Sequence, residues 1–263
     1  MSDSVSRFVG FAAAYDQARP TPPTEIVDLL CQWSGVATPD VVDLGAGSGL
    51  STVIWSGRAR HVLAVEPGLD MRSVARERID TLPDAANFSL VNATAEATGL
   101  PDGCADVITA SQAMHWFDPA RVLPEIARLL RPGGVFAAFD CDWPPTVRAE
   151  VDAAYQEFDR LQWTLQQARG LQPHRADKEG HLGRMAASGL FSHVRETCLH
   201  SRESGDAERL LAVAHSQGGV VALLDNGVRA AELGLDALRE IALARLPEPV
   251  PWWWTYRIRL AVK

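Results

Sequence analysis

The nine residues from Val41 to Gly49, Val-Val-Asp-Leu-Gly-Ala-Gly-Ser-Gly, constrain the fold of this 263-residue chain more than any other segment. An apolar strand carries an acidic residue, Asp43, near its end and runs into three glycines at alternating positions. Glycine permits both a sharp turn and the close approach of another group. The next residues, Leu50 to Trp55, can start a helix, whose N-terminus would offer N–H groups to a polar ligand. The segment therefore predicts an α/β fold with a ligand site beyond the carboxyl end of a parallel strand.

The spacing of these glycines distinguishes two kinds of cofactor site. A dinucleotide site requires G-x-G-x-x-G, whereas here the third glycine comes one residue early, at Gly49, and Leu50 holds its place. The D-x-G-x-G-x-G pattern resembles motif I of the class I S-adenosylmethionine methyltransferases. The resemblance implies that Asp43 lies near the methionine end of the cofactor. It also implies that the turn packs against the cofactor through Gly45, Ala46, Gly47 and Gly49.

The segments that follow extend this resemblance. His61 to Val65 reads as a second strand that ends in Glu66 and Pro67, and in the family an acid at this place accepts the ribose hydroxyls. Met71 is expected either to pack on the adenine or to fill the core. After a third strand, Phe88 to Asn92, the family pattern has an Asp beside Ala95, and this chain has Thr94 instead. The implied adenine contact then falls to the hydroxyl of Thr94 and the backbone of Ala95.

A near-continuous apolar run, Ala105 to Ser111, predicts a fourth strand buried on both faces. Ser111 and Gln112 follow as candidate cofactor contacts. The sequence His115-Trp116-Phe117 resembles small-molecule methyltransferases of the menaquinone/ubiquinone-biosynthesis and trans-aconitate types. A helix over 121–130 and a Pro-Gly-Gly stop precede the fifth strand, residues 135–139.

The pattern predicts a Rossmann-like seven-stranded class I methyltransferase sheet with an antiparallel last strand and helical lid insertions around the sixth strand. Residues 252–262 alternate as the last strand requires, and three successive tryptophans, 252–254, cannot share one face of it. The predicted divisions are an N-terminal helical arm (1–39), a cofactor-binding core (40–145), a helical insertion (146–190), the sixth strand (191–202), a helical lid (203–248) and the C-terminal strand (249–263).

Candidate chemistry lies in the loops around this sheet. In the family an N-terminal tyrosine closes over the methyl donor, so the resemblance implies this cofactor contact for Tyr15, which is also a candidate catalytic residue. Arg19 is a candidate to pair with a carboxylate of the cofactor or of the substrate. The alternative for both is a capping helix in which Tyr15 covers the core and Arg19 is solvated. His115 is the candidate general base, and its alternative role is to hold the His-Trp-Phe loop through the backbone. Candidate substrate contacts are His115, Trp116, Asp140, Trp143 and His215. The insertions add Trp163, His174, His181 and Gln217 as pocket candidates, each more readily explained as structural.

Composition limits the partners. The net charge is −8 and no block of lysine or arginine is present, so a nucleic-acid substrate is not expected. Cysteines at 31, 104, 141 and 198 are scattered, which predicts neither a zinc site nor a disulfide framework, so no metal is expected. The N-terminal residues lack a signal-peptide core, and no run is long enough to span a bilayer. A cytoplasmic protein that acts on a small molecule is expected, and a homodimer through the insertions is compatible with the pattern.

The predicted function is methyl transfer from S-adenosylmethionine to a small, aromatic or apolar metabolite, with S-adenosylhomocysteine as the product and the acceptor atom undetermined. One alternative is a nicotinamide-dependent oxidoreductase on a doubly wound sheet, which the position of Gly49 and the antiparallel last strand disfavour. The other is a non-catalytic S-adenosylmethionine-binding protein, which the fold alone does not exclude.

Overall fold

The computed structural model describes residues 19–172 and 175–263. Two compact units are distinguished within them. The sheet unit comprises Thr21–Cys141, Arg175–Leu199 and Tyr256–Lys263. The helical unit comprises, among the described residues, 19–20, 142–172 and 200–255.

The secondary-structure elements follow the predicted order. The strands are β1 (Asp40–Leu44), β2 (His61–Val65), β3 (Phe88–Val91), β4 (Ala105–Ser111), β5 (Leu130–Cys141), β6 (His193–Gly205) and β7 (Val250–Val262). The α-helices of the described residues are α1 (Glu25–Ser34), α2 (Leu69–Asp80), α3 (Pro119–Leu129), α4 (Ala149–Arg169), α5 (His181–Ala187), α6 (Ala207–His215), α7 (Gly218–Asp225) and α8 (Leu235–Arg245). Short 3-10 helices cover Val53–Trp55, Ala85–Asn87 and Met114–Trp116.

The strands form one sheet in the order β3-β2-β1-β4-β5-β7-β6. The pairs β1–β2, β1–β4, β2–β3 and β4–β5 are parallel, and β7 is antiparallel to β5. The predicted fold, including the antiparallel last strand, is therefore confirmed. Strands β2 and β3 lie on one side of β1 and strand β4 lies on its other side, so the order of the strands reverses at β1. Open α/β sheets bind ligands in the crevice outside the carboxyl ends of such neighbouring strands.

Helix α3 shows how sequence signals produce one of these elements. Asp118 is its N-cap and accepts a hydrogen bond from the backbone N–H of Ala120 at 3.0 Å, with Pro119 at the first helical position. Its apolar residues recur at helical spacing and are buried in the core of the sheet unit: Val122, Leu123, Ile126 and Leu129. The predicted helix is therefore present, beginning two residues earlier and ending one residue earlier than expected.

The helical unit is built from α4, α6, α7 and α8. The predicted breaks near Gly218, Asn226 and Gly234 do separate three helices. A polar network joins α4 to the start of α7: the side-chain amide of Gln217 donates to Tyr155 Oη at 2.7 Å and to Asp159 Oδ1 at 3.1 Å. In β7, Trp252 and Trp254 are fully buried whereas Trp253 is 50% exposed, as the alternation of a strand requires.

The structure departs from expectation immediately after Gly49. No α-helix forms there; the chain makes turns and the 3-10 helix Val53–Trp55. The hydroxyls of Ser51 and Thr52 both point back to Asp43, and side-chain bonds of this kind compete with regular helix formation. The sixth strand also differs, since it runs over His193–Gly205 rather than 191–202.

Among the described residues, no helix combines the length and the apolar character that crossing a membrane requires.

We expect Glu125→Gln to lower the free energy of unfolding by about 1 kcal/mol near neutral pH. Glu125 accepts from the hydroxyl of Thr98 at 2.6 Å and from Arg128 Nε at 2.8 Å, and these bonds tie α3 to the loop before β4. Arg128 lowers the pKa of Glu125 to about 2. Because this folded-state pKa lies below the unfolded value, the contribution is present above pH ~4.3 and is lost as the pH falls towards 2. Urea unfolding at several pH values measures it. Glu150→Gln, on a carboxylate that is 57% exposed, is the control, and an equal loss in both variants would contradict the assignment.

Candidate active site

Glycine occupies three positions of the loop after β1, and the surroundings of the three differ. Gly45, at φ +66°, has no room for a side chain, because a Cβ there would lie 2.8 Å from Ala113 Cβ and 3.0 Å from Phe117 Cζ. Gly49, at φ +84°, packs against Ala75 of α2. Gly47, at φ +56°, faces open space, with no described atom within 4 Å of where a Cβ would stand. The loop is thus closely packed at both ends and open in its middle.

Asp43 fixes this loop through hydrogen bonds to three hydroxyl groups. Its side chain is fully buried, and it accepts hydrogen bonds from Ser51 Oγ at 2.9 Å, Thr52 Oγ1 at 2.7 Å and Thr109 Oγ1 at 2.7 Å. Burial raises the pKa of Asp43, and the three hydroxyls oppose that shift. Both carboxylate oxygens are engaged within the chain, so its direct effect is to fix the glycine loop against β4.

Glu66 binds the glycine loop through a backbone hydrogen bond. Its Oε2 accepts the N–H of Gly47 at 3.0 Å and its Oε1 accepts the N–H of Gly68 at 2.7 Å. Burial raises the pKa of Glu66, and the two backbone N–H groups oppose the shift. A carboxylate oxygen can accept two hydrogen bonds. Each oxygen therefore keeps acceptor capacity for hydroxyl groups of a ligand beside the open position at Gly47.

The residues predicted to contact an adenine lie around the next two loops. Pro67 directly follows Glu66, and Met71 is buried in the first turn of α2. Thr94 is exposed and bridges to Ala97, whereas Ala95 belongs to the apolar core. The buried side chain of Ala95 leaves only its backbone for a ligand, and the contacts expected of Thr94 and Ala95 stay predictions.

Ser111 ends β4, and Gln112 follows it in an unusual conformation. Gln112 has a φ of +51°, the left-handed region that non-glycine residues rarely adopt. Its backbone N–H donates to Phe139 O at 2.9 Å, and its Oε1 accepts from Lys178 Nζ at 2.9 Å. Such conformations persist where surrounding bonds enforce them, and they concentrate at functional sites.

His115, Asp140 and His181 form a buried cluster at the carboxyl ends of β4 and β5. Their exposed fractions are 5%, 4% and 0%, and one possible ligating atom from each lies within 4.8 Å of the others. His115 Nδ1 is 3.6 Å from Asp140 Oδ1, just beyond hydrogen-bond distance. The backbone carbonyl of His115 accepts from the N–H of Ala176 at 2.9 Å, a bond that does not involve the imidazole.

The cluster is rich in positive charge. Asp140 forms ion pairs with Lys178 at 2.8 Å and Arg259 at 3.1 Å, and Arg259 also pairs with Glu196 at 2.9 Å. Burial alone would raise the pKa of Asp140, but His115 and Lys178 hold it below its usual range. Burial lowers the pKa of His115 to about 4, as it does that of His181. Both histidines are therefore neutral, and Asp140 is ionised, at neutral pH.

By distance alone, these three residues could hold a metal ion. Two observations oppose this use. Lys178 already lies 2.8 Å from Asp140 Oδ1, and a divalent cation at the same oxygen would be repelled by it. Arg184 donates to His181 Nδ1 at 2.8 Å, whereas a histidine ligand normally donates its second ring nitrogen to an acceptor. The donor set favours hydrogen bonding over coordination.

The remaining predicted site residues belong to the helical unit or lie outside the described residues. Arg19 donates to the carbonyl of Ser216 at 3.0 Å, and its guanidinium lies 4.5 Å from the ring centroid of Trp143. His215, next to Ser216, is partly buried at the end of α6, and desolvation lowers its pKa. Tyr15 and His174 fall outside the described residues.

Sequence reasoning did not assign roles to several residues of this site. Ser51, Thr52 and Thr109 look like ordinary loop and strand residues, and only the buried carboxylate that they share reveals their part. Lys178 and Arg259 also gave no signal, because nothing in the pattern of residues 175–178 or of β7 indicates a buried carboxylate opposite them.

The geometry fits the cofactor that the glycine pattern implies. A Cβ at Gly47 would occupy the open space beside the loop. Gly47 is hydrogen-bonded to Glu66, whose carboxylate can accept two neighbouring hydroxyl groups of a ligand. Ser111 and Gln112 extend the same crevice from β4.

Comparison with known proteins agrees with this geometry. Residues 42–138 match the methyltransferase domain family. A structure from Anaeromyxobacter dehalogenans, titled as a type II methyltransferase, superposes with a TM-score of 0.69 at 27% identity, covering 93% of this chain and 97% of that one. The fold of this chain is that of the class I methyltransferases, and its residues 42–138 are similar to their domain family.

Sequence relatives of this chain are similar to it over part of their length. A protein of Mycobacterium tuberculosis, named only as a methyltransferase, is 41% identical over 134 residues, 51% of this chain and 50% of the relative. A malonyl-[acyl-carrier protein] O-methyltransferase of Pectobacterium atrosepticum is 28% identical over 165 residues, 62% and 61% of the two chains. The chain thus spans about half the length of the first of these relatives.

We expect Gly45→Ala to destabilise the protein by about 3 kcal/mol, from backbone strain plus overlap with Ala113 and Phe117. Gly57→Ala is the matched control, because Gly57 has a similar φ of +70° with nothing within 4 Å, and it should cost about 1 kcal/mol. Thermal or urea unfolding measures both. Equal losses would show that close packing at Gly45 is unimportant.

Proposed function

We propose that the chain transfers a methyl group from S-adenosylmethionine to a small-molecule acceptor. The observation that carries the proposal is the open position at Gly47 beside the Glu66 carboxylate, after the carboxyl ends of β1 and β2. When bound there, S-adenosylmethionine supplies a methyl group already activated on a sulfonium sulfur.

The cofactor side of the site divides its tasks among a few residues. Glu66 accepts the ribose hydroxyls while its bonds to Gly47 and Gly68 keep the carboxylate in place. Met71 and the backbone near Ala95 border the adenine. Asp43 is fully buried and supports this side by fixing the glycine loop through the hydroxyls of Ser51, Thr52 and Thr109.

The acceptor side is formed by the loop after β4. His115 is neutral and buried beside Trp116, their rings 5.1 Å apart. A neutral imidazole accepts a hydrogen bond from an acceptor O–H or N–H and so orients the nucleophile. Its low pKa makes it a weak base, which suits an acceptor whose proton is acidic or is lost late in the reaction. The burial of this loop also helps to exclude water from the methyl group.

Two other functions remain distinguishable by experiment. Similarity to the methyltransferase domain family and the spacing of the loop glycines disfavour a nicotinamide-dependent oxidoreductase. A non-catalytic S-adenosylmethionine-binding protein shares every feature of the cofactor side. It would bind the cofactor and release no S-adenosylhomocysteine with any acceptor from a panel of phenols, carboxylic acids and amines.

We expect Glu66→Ala to weaken S-adenosylhomocysteine binding more than tenfold, because the ribose contact is lost and Gly47 loses an acceptor. Isothermal titration calorimetry measures the affinity. Glu77→Ala, an exposed acid on α2, is the control and should bind as the wild type does. An unchanged affinity in Glu66→Ala, or NADH binding more tightly than S-adenosylhomocysteine, would contradict the proposal.

We expect Gly47→Ala to abolish measurable S-adenosylhomocysteine binding, whereas Gly57→Ala should retain it within twofold. Both substitutions place alanine at positive φ in open space, at φ +56° and +70°, so their costs in folding stability should be similar. The difference isolates the space that the ligand needs. Equal binding by the two variants would show that the ligand does not lie against Gly47.

A further inference from the structure

Two buried histidines converge on one carboxylate in the sheet unit. His181, the first residue of α5, is fully buried and belongs with His115 to the cluster around Asp140. Within residues 19–172 and 175–263, His115 Nδ1 and His181 Nε2 are buried without a hydrogen-bond partner. An unpartnered buried polar atom costs free energy, so both nitrogens require an explanation.

The tautomer of His181 follows from its neighbour. Arg184 lies 2.8 Å from His181 Nδ1 and also pairs with Asp177 at 2.9 Å. A guanidinium can only donate, so Nδ1 must accept. Because His181 is neutral at neutral pH, its single ring proton is then on Nε2.

The tautomer of His115 follows from Asp140. An ionised carboxylate can only accept, and His115 Nδ1 is the ring nitrogen that faces it, 3.6 Å from Oδ1. A proton on Nδ1 turns this approach into an attraction, and a small rotation of the ring closes the bond. With the proton on Nδ1, the lone pair of His115 is on Nε2.

We propose that Asp140 and His181 are positioning residues that hold His115 as its Nδ1–H tautomer, presenting Nε2 to the O–H or N–H of a methyl acceptor. The role of the acceptor rests on the proposed function, whereas the tautomer does not. His181 adds a buried N–H to the same cluster, where one possible ligating atom of His181 lies within 4.8 Å of one of Asp140, and this neutral donor brings no further charge.

The surrounding charges explain why neutral donors are used here. Groups that act on the cluster are Lys178, Arg184, Arg259 and, at longer range, Arg175. Protonating either histidine would add a cation among these. The arrangement therefore favours two neutral imidazoles of opposite tautomer around one carboxylate.

The test is long-range ¹H–¹⁵N NMR of the histidine rings in the full chain at neutral pH, because protonated and unprotonated ring nitrogens have well-separated ¹⁵N shifts. We expect the proton of His115 on Nδ1 and that of His181 on Nε2. His115→Gln and His181→Gln assign the signals by their loss. A His115 proton on Nε2, or stoichiometric binding of Zn²⁺ that shifts both rings, would overturn the proposal.

Two variants of His181 then separate positioning from simple packing. His181→Gln can retain an N–H near the place of Nε2 and should keep His115 in the Nδ1–H form, whereas His181→Phe should populate the other tautomer measurably. His200→Gln, on an exposed histidine, is the control. If His115 keeps one tautomer in a folded His181→Phe variant, or if Asp140→Asn leaves it unchanged, the proposal is wrong.

S-adenosylhomocysteine calorimetry on the same variants keeps the two proposals apart. Binding within twofold of the wild type is expected for His181→Phe, because His181 is not among the residues assigned to the cofactor. Loss of binding in that variant would contradict the assigned role. Absence of binding in the wild type, with the predicted tautomers present, would remove the proposed function and leave the tautomer assignment intact.

Discussion

A buried carboxylate without a cationic partner among the described residues determines how the glycine loop is built. Asp43 is removed from water at the end of β1, and three hydroxyl groups provide its hydrogen bonds. Burying a charge is costly unless donors replace the lost water. Ser51 and Thr52 must therefore turn back towards the strand, and the short 3-10 helix replaces a regular helix start. The position of the open space at Gly47 depends on this local arrangement.

A second buried carboxylate, Asp140, organises the other side of the crevice by different means. It is held by Lys178 and Arg259 as ion pairs and approached by His115. Among the described residues, neutral hydroxyls alone bind the first carboxylate, whereas two cations pair with the second. Under the proposed function, a cationic cofactor would lie on the side of the first carboxylate and the neutral imidazole of His115 on the side of the second.

Most strands and the glycine loop were predictable because each depends on local signals, whereas the architecture of the sheet followed from the resemblance to the class I methyltransferases. Apolar runs bounded by glycine and proline located β1 to β5, and alternation located β7. What could not be predicted depends on contacts between distant residues. Arg259 lies on the face of β7 expected to be polar, yet it is 3% exposed because Asp140 and Glu196 pair with it. His181 was one of several histidines in an insertion, and only the folded chain shows which of them reaches Asp140.

The ring of Phe117 couples the movements of two loops. It lies beside Gly45 together with Ala113, so the loop that bears His115 and the loop that bears Gly47 are in contact through these two side chains. Close-packed interiors transmit displacement, because a gap at such a contact forfeits dispersion energy. Under the proposed function, ordering either loop around its ligand restrains the other, and binding of cofactor and acceptor is thermodynamically linked.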